Sequence, residues 1–254
     1  MDETNPDAWL VAENGDFVAS DLNGLGWHGA MNYQGFMRPV WNWLNRNSEI
    51  GGGFQGLPFA MPQISGQQLI NSMKQFNASV PWRSVTASMV LLDSHDTARF
   101  RTVVKGDVAS HLSAMTMVLT YPGVPSIFAG DEIGLEGSWG EDGRRTINWD
   151  DRSGWDHAFM DKVRELISIR KGNDALINGG LRWIAAEKDF ILYLRESKKQ
   201  SILVFVSRSA VNVKIDLADL GLHVSKTLYG HAASGSKFAV KSKSAVQAIW
   251  EITR

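Results

Sequence analysis

Four short apolar segments, each associated with polar or ionisable residues at its end, constrain the fold of this chain most strongly. In chain order they are Leu10–Ala12 before Glu13, Trp27–Tyr33 with Asn32, Ala87–Leu92 before His95 and Asp96, and Val124–Ala129 before Asp131 and Glu132. Short apolar runs of this kind are typical of strands in a parallel sheet covered on both faces. In (β/α) barrels the chemistry lies where such strands end. The sequence therefore predicts an α/β fold with a site at the carboxyl ends of its strands.

Helical segments accompany these strands up to about Asn178, and β-type runs follow. The predicted helices are Ser65–Phe76, Val108–Leu119 and Trp155–Arg170. The later predicted strands are Leu181–Ala186, Phe190–Glu196, Ser201–Val206, Val211–Ile215, Thr227–Tyr229 and Ala245–Ile252. Short strands separated by polar turns are typical of an antiparallel sandwich. We expect a partial (β/α) barrel over residues 1–178 and a β-sandwich domain over 179–254.

Composition gives no reason to expect a nucleic acid or a membrane as partner. The 254 residues carry a formal net charge of −1 and contain no cysteine. No basic excess is available for phosphate backbones or anionic lipid. No run approaches the ~20 apolar residues of a membrane span. We expect a cytoplasmic protein without disulfides.

The adjacent pair His95 and Asp96 allows two interpretations from this segment alone. A buried strand that ends in ionisable groups is typical of a site. Equally, His95 could be a structural histidine, and Asp96 could cap a following helix through Thr97. The other strand ends favour the first interpretation, because the same pattern recurs four times.

Three segments resemble signature segments of the α-amylase family of glycoside hydrolases. They are SHDTARF at 94–100, YPGVPSIFAGDEIG at 121–134 and GEDGRRTINWD at 140–150. The resemblance is to bacterial members that act on short maltooligosaccharides, such as cyclomaltodextrinases, neopullulanases and α-glucosidases. Glu13 falls where the family's acid/base glutamate ends the fifth barrel strand, and AMNY at 30–33 is similar to the block that ends the sixth.

The resemblance implies the C-terminal half of a (β/α)8 TIM barrel, strands 5–8, followed by an antiparallel β-sandwich domain. It implies retaining hydrolysis of α-1,4 or α-1,6-glucosidic bonds in maltooligosaccharides or related α-glucans. In that chemistry Glu13 is the general acid/base, Asp96 stabilises the transition state and His95 binds a sugar hydroxyl. No cofactor is implied.

Further substrate contacts are assigned to four residues: Asn32, Tyr33, Arg99 and Arg145. For Arg99 and for the pair Arg144 and Arg145, we give more weight to salt bridges at the barrel rim, with Asp131, Glu132 or Glu141 as partners. Five other carboxylates are expected to be solvated loop charges: Asp131, Glu132, Glu136, Asp150 and Asp151. Because they show no compact calcium-loop spacing, we predict no metal site.

One expected feature is missing from the sequence. The family's nucleophile is an aspartate that ends the fourth strand, with an arginine two residues before it, and no segment here matches. We therefore expect a C-terminal portion of a family member that is inactive alone. The alternatives are a non-catalytic carbohydrate-binding fragment, or a half barrel closed by a second copy or by a complementing N-terminal half.

Overall fold

Four short parallel strands lie side by side in chain order in the computed structural model, which describes residues 4–5, 7–15, 18–23, 26–47, 49–50 and 61–254. They are β1 (Val11–Ala12), β2 (Gly29–Ala30), β3 (Met89–Val90) and β4 (Val124–Pro125). β1 pairs with β2 and β3 with β4, and a parallel bridge from Met31 to Met89 joins the two pairs. Within these ranges, no further strand pairs with the outer edge of β1 or β4.

All four strands lie inside the predicted apolar runs, but each is only two residues long. In β4, Pro125 limits the length of the strand, because proline has no N–H to donate to a neighbouring strand. Contact between the third and fourth segments nevertheless continues past β4, where the Ser126 N–H donates to the Val90 carbonyl at 2.7 Å. The strand ends therefore stay in register even where regular pairing stops.

Helices connect and cover these strands. They are α1 (Arg38–Leu44), α2 (Gly66–Ser79), α3 (Trp82–Ala87), α4 (Phe100–Val103), α5 (Val108–Thr120), α6 (Gly140–Gly143), α7 (His157–Gly172) and α8 (Asp174–Asn178). Side-chain caps explain the starts of the three long helices that the sequence predicts: Ser65 with a capping box at α2, Asp107 at α5 and Asp156 at α7. Across the described residues, no helix is long and apolar enough to cross a bilayer.

Helix α5 is the central helix of the fold. Its buried residues extend almost continuously from Ser110 to Thr120, so it packs on more than one face. One neighbour is α7. The C-terminal sheet covers another side, where the Ser113 hydroxyl donates to the Ser207 carbonyl at 2.8 Å and Gln247 donates to the Ala109 carbonyl at 3.0 Å. A helix that is covered on several sides needs apolar or small residues on all of its faces, and most residues of α5 are of these types.

The C-terminal part consists of two antiparallel sheets. Its strands are β5 (Gly180–Ala186), β6 (Phe190–Glu196), β7 (Ser201–Ser207), β8 (Val211–Asp216), β9 (His223–Gly230), β10 (Lys237–Ser242) and β11 (Gln247–Thr253). Five of them form a sheet in the order β5-β6-β7-β11-β9, and β8 pairs with β10 in the second sheet. The predicted bounds of β6 agree with the observed ones. Strand β10 was not predicted from the sequence, because only Phe238 and Val240 are apolar on its inward side and two of its three exposed residues are lysines.

Two hydrophobic clusters share the C-terminal sheet. The first combines one face of the five-stranded sheet with α5, α7 and the parallel strands. The second fills the space between the two sheets, and includes Leu203, Phe205 and Trp250, all fully buried. Because the five-stranded sheet contributes to both clusters, its stability supports the whole chain.

Leu203→Ala is expected to destabilise the fold by about 2–5 kcal/mol, because it removes buried methyl groups and leaves a cavity between the sheets. Leu220→Ala is the matched control, since Leu220 is 46% exposed and should change stability by less than about 1 kcal/mol. Urea unfolding of both variants measures the difference. Equal effects would contradict the packing described.

Candidate active site

Glu13, His95 and Asp96 meet at the carboxyl ends of the parallel strands. The Nε2 atom of His95 lies 3.1 Å from Oε1 of Glu13 and 3.6 Å from Oδ2 of Asp96. Glu13 follows β1, whereas His95 and Asp96 lie in the loop after β3. The fold therefore brings Glu13 to the adjacent pair His95 and Asp96, which lies far away in sequence, and the three side chains remain partly accessible to solvent.

A tight turn orients the loop that carries His95 and Asp96. The Ser94 N–H donates to the Thr97 hydroxyl at 2.9 Å, and the Asp96 N–H donates to the Ser94 hydroxyl at 3.2 Å. Helix α4 begins only at Phe100, whose N–H donates to Asp93 rather than to Asp96. The alternative that Asp96 caps the following helix is therefore wrong, and its carboxylate is available to the site.

Arg144 holds this loop from the opposite side. Its Nε donates to the His95 carbonyl at 2.8 Å, and its Nη2 lies 3.1 Å from Oδ1 of Asp96. Glu141 contacts the same guanidinium at 3.5 Å. Arg144 was expected to form a salt bridge at the barrel rim, with Glu141 among the possible partners. In the structure it contacts both Glu141 and Asp96.

Tyr33 and Asn32 lie beneath the site and are almost fully buried. The Tyr33 hydroxyl donates to the Ser94 hydroxyl at 2.8 Å. Burial, together with the negative charges of Glu13 and Asp96, raises the pKa of Tyr33 to about 12, so this phenol stays neutral. Asn32 accepts the Gly35 N–H at 2.8 Å and caps the π-helical turn at Tyr33–Met37. In this structure both residues support the loops of the site.

Arg99 is fully buried and joins three loops. Its guanidinium lies 2.9 Å from Oδ1 of Asp131 and donates to the carbonyls of Ala129 and Gly143 at 2.9 and 2.8 Å. It also stacks over the Phe128 ring at 3.8 Å. This is the rim salt bridge to which the sequence analysis gave more weight for Arg99. Asp131 is 2% exposed, so the expectation that it is a solvated loop charge is wrong.

Arg145 lies at the surface, and its salt-bridge partner is Asp142 rather than one of the expected Asp131, Glu132 or Glu141. Both its Nε and Nη2 donate to Oδ1 of Asp142, at 2.9 and 2.7 Å. The Ser138 N–H and then Arg145 hold the pKa of Asp142 below its ordinary value. The pair stabilises the loop around α6 on which Arg144 lies.

Besides Asp131, a further acidic residue, Asp93, is buried behind the site. It was not identified from the sequence. It follows directly after the predicted segment Ala87–Leu92, where the apolar neighbours Leu91 and Leu92 already indicate burial. Its partner Asp131 is 38 residues away, so the sequence alone gives no sign of the pair. Desolvation and the nearby Asp131 raise the pKa of Asp93 well above its ordinary value.

The charge balance of the Glu13, His95 and Asp96 cluster bears on metal binding. One ligand atom from each residue lies within 4.8 Å of the others, which is close enough for a cation. Arg144 already supplies a positive charge to Asp96, and Nε2 of His95 already lies against Glu13 at 3.1 Å. We therefore assign no metal ligands here.

Arg99→Met should destabilise the chain by about 3–5 kcal/mol, because it leaves Asp131 buried without its cation. Arg145→Met serves as control, since an exposed ion pair contributes about 0–1 kcal/mol. Chemical unfolding at pH 7 compares the two. A cost for Arg99→Met no greater than that for Arg145→Met would contradict the role given to Arg99.

Comparison with known proteins places this geometry in a family. A family model described as the alpha amylase catalytic domain matches residues 29–199. A cyclomaltodextrinase from Bacillus sp is 31% identical over 209 residues, which are 81% of this chain and 34% of that protein. Neopullulanase 2 from Thermoactinomyces vulgaris is 31% identical over 189 residues, covering 74% of this chain and 29% of that enzyme.

Solved structures agree with this result. The acarbose-soaked debranching enzyme of Nostoc punctiforme superposes with a TM-score of 0.82 and 26% identity, over 98% of this chain and 52% of that protein. The chain thus spans about a third of the two relatives named and half of this structure. Structural neighbours of this kind imply a TIM barrel followed by a β-rich domain. Because the family match extends over more than half of the chain, the protein belongs to the α-amylase family.

Proposed function

We propose that this chain forms part of a glycoside hydrolase that cleaves α-1,4 or α-1,6-glucosidic bonds in maltooligosaccharides or related α-glucans, with retention of configuration. The observation that carries the proposal is the convergence of Glu13, His95 and Asp96 at the ends of β1 and β3. The relatives named cyclomaltodextrinase and neopullulanase support the same substrate class.

Glu13 is the proposed general acid and base. In retaining hydrolysis a carboxylic acid donates a proton to the glycosidic oxygen, and the same group later removes a proton from the attacking water. The Glu13 side chain is 56% exposed, so it can reach a sugar from the strand end. Its contact with Nε2 of His95 limits the directions in which the carboxyl group points.

Asp96 and His95 are proposed to bind the sugar ring at the cleavage point. Arg144 holds one carboxylate oxygen of Asp96, which leaves Oδ2 to accept hydrogen bonds from sugar hydroxyls. His95 can donate to a hydroxyl of the same ring from Nε2. Contacts that become stronger as the ring flattens and gains positive charge lower the barrier, so this pair would stabilise the transition state.

The nucleophile is proposed to come from a segment outside this sequence. Retaining enzymes place the nucleophile and the acid about 5–5.5 Å apart. Within the described residues, the carboxylate close to Glu13 is Asp96, which is already assigned and paired with Arg144. Without a nucleophile no glycosyl-enzyme intermediate forms. The isolated chain is therefore proposed to bind sugar weakly and not to turn it over.

We further propose that residues 1–178 are the C-terminal half of a (β/α)8 barrel and residues 179–254 the C-terminal β-sandwich domain. The four parallel strands in chain order support the first part. So does an apolar groove of about 520 Å³ beside β4, between Ile127 of the strand segment and Ile167 of α7. A second apolar hollow of about 440 Å³ adjoins it and shares both isoleucines. Four further strands, from an N-terminal half or a second copy, would cover this groove.

Glu13→Gln, in this chain completed by an N-terminal half barrel, should lower maltooligosaccharide turnover by at least about 10²-fold, because the amide cannot act as acid or base. Glu165→Gln is the control, since Glu165 is exposed on the outer face of α7, where it pairs with Lys162. Reducing-end assays measure turnover. Full activity in Glu13→Gln would remove Glu13 from the proposed role. Substantial turnover by the isolated chain would contradict the missing nucleophile.

Ile167→Lys should weaken association of the chain with itself or with an N-terminal half barrel, because it places a charge in the groove beside β4. Leu220→Lys, which adds the same charge at an exposed site of the C-terminal part, should leave association unchanged. Size-exclusion chromatography with light scattering gives the masses. A monodisperse, cooperatively unfolding monomer that binds no N-terminal half would contradict the half barrel.

A further inference from the structure

Two aspartates, Asp93 and Asp131, face each other in the interior behind the candidate active site. Each is 2% exposed. Asp93 lies in the loop after β3, two residues before His95, and Asp131 lies in the loop after β4. Their carboxyl groups are within hydrogen-bonding reach of each other. None of the roles assigned in the proposed reaction uses this pair.

The hydrogen bonds around the pair are incomplete if both groups are ionised. Oδ2 of Asp93 accepts the Phe100 N–H at 2.7 Å, and Oδ1 of Asp131 accepts from Arg99 at 2.9 Å. Oδ1 of Asp93 is buried and, among the described residues, has no donor. A carboxylate can only accept, so two ionised aspartates cannot satisfy this atom. One proton between them completes the network.

The charged groups around Asp93 and Asp131 also favour one shared proton on the pair. From the N-terminus of α4, Arg99 supplies one positive charge. Next to Asp131, Glu132 adds a further carboxylate, which accepts the Gly130 N–H. From the turn after β2, Tyr33 faces Asp93 as a neutral phenol. Two buried carboxylates beside one guanidinium would leave an unpaired buried charge, which is costly.

We propose that Asp93 remains a neutral carboxylic acid at pH 7 and donates its proton to Asp131, so that a carboxyl–carboxylate hydrogen bond locks the loops after β3 and β4. Burial and the charge of Asp131 raise the pKa of Asp93 well above its ordinary value, and burial also raises that of Asp131, so the pair retains one proton together. Asp93 is then a positioning residue for His95 and Asp96. That last consequence rests on the proposed function, whereas the retained proton does not.

The proposal predicts a specific pH dependence of stability. The ordinary aspartate pKa is ~3.9, so above that pH the unfolded chain releases a proton that the folded chain keeps. Stability from this group is therefore greatest at low pH and falls as the pH rises toward the folded-state pKa. The Asp93→Asn variant should lack this pH-dependent contribution to the free energy of unfolding. Its amide NH2 donates to Asp131 at every pH, and its oxygen still accepts the Phe100 N–H.

The test is urea unfolding of the 254-residue chain and of Asp93→Asn between pH 5 and 7, the range in which the folded chain is proposed to keep the proton. The unfolding equilibrium constant of the wild type, divided by that of the variant, should rise about tenfold per pH unit. Asp150→Asn, at an exposed loop position, is the control and should give a flat ratio. A flat or falling ratio for Asp93→Asn would overturn the proposal.

A measurement on the wild-type chain covers the case in which Asp93→Asn does not fold. The ¹³C shift of the Asp93 carboxyl carbon should report the protonated form at pH 7, and a shift of the ionised form would overturn the proposal. Positioning is tested separately through the His95 ring nitrogens. Their ¹⁵N shifts should change in Asp93→Ala and return toward the wild-type values in Asp93→Asn. Unchanged His95 shifts in Asp93→Ala would show that Asp93 does not position His95. The retained proton is tested separately by the unfolding experiment.

Discussion

The buried guanidinium of Arg99 is the interaction on which the candidate site depends. Its ion pair with Asp131 and its hydrogen bonds to the carbonyls of Ala129 and Gly143 join the loops after β3 and β4 to the segment that carries Arg144. A buried charge that loses its partner is costly, so these loops cannot separate without a large penalty. The loop that presents His95 and Asp96 is thereby fixed from its buried side, and Arg144 fixes it from the solvent side.

Much of this arrangement is predictable from the sequence, because parallel strands bring their carboxyl ends to one edge. Glu13, His95 and Asp96 follow separate apolar runs, and the expectation that they converge needs only that rule. The C-terminal strands are also predictable where a run of apolar residues is followed by a polar turn, as at Phe190–Glu196. Helix starts follow from local caps such as Asp107, which depend on residues only two or three positions away.

Other features depend on partners that are distant in sequence. Asp131 has the composition of a loop charge, and only the fold shows that Arg99 and Asp93 enclose it. Asn32 and Tyr33 follow a strand as ligand-binding residues would, yet the turn they form places both under the site. Strand β10 escapes prediction because its pairing with β8 leaves lysines exposed, so its apolar signal is weak. Burial of polar groups is thus the part that local patterns do not determine.

The most direct test of the central claim is chemical cross-linking between cysteines placed at positions 13 and 95. The chain contains no cysteine of its own, so the two introduced thiols would react alone. Glu13→Cys and His95→Cys would be combined in one chain and treated with a short bifunctional thiol reagent. The account predicts rapid intramolecular cross-linking, and none for Glu13→Cys combined with Leu220→Cys, because the segment of Leu220 packs on the face of the five-stranded sheet opposite the parallel strands. Folded double variants that fail to cross-link at 13 and 95 would contradict the convergence of these strand ends on one site.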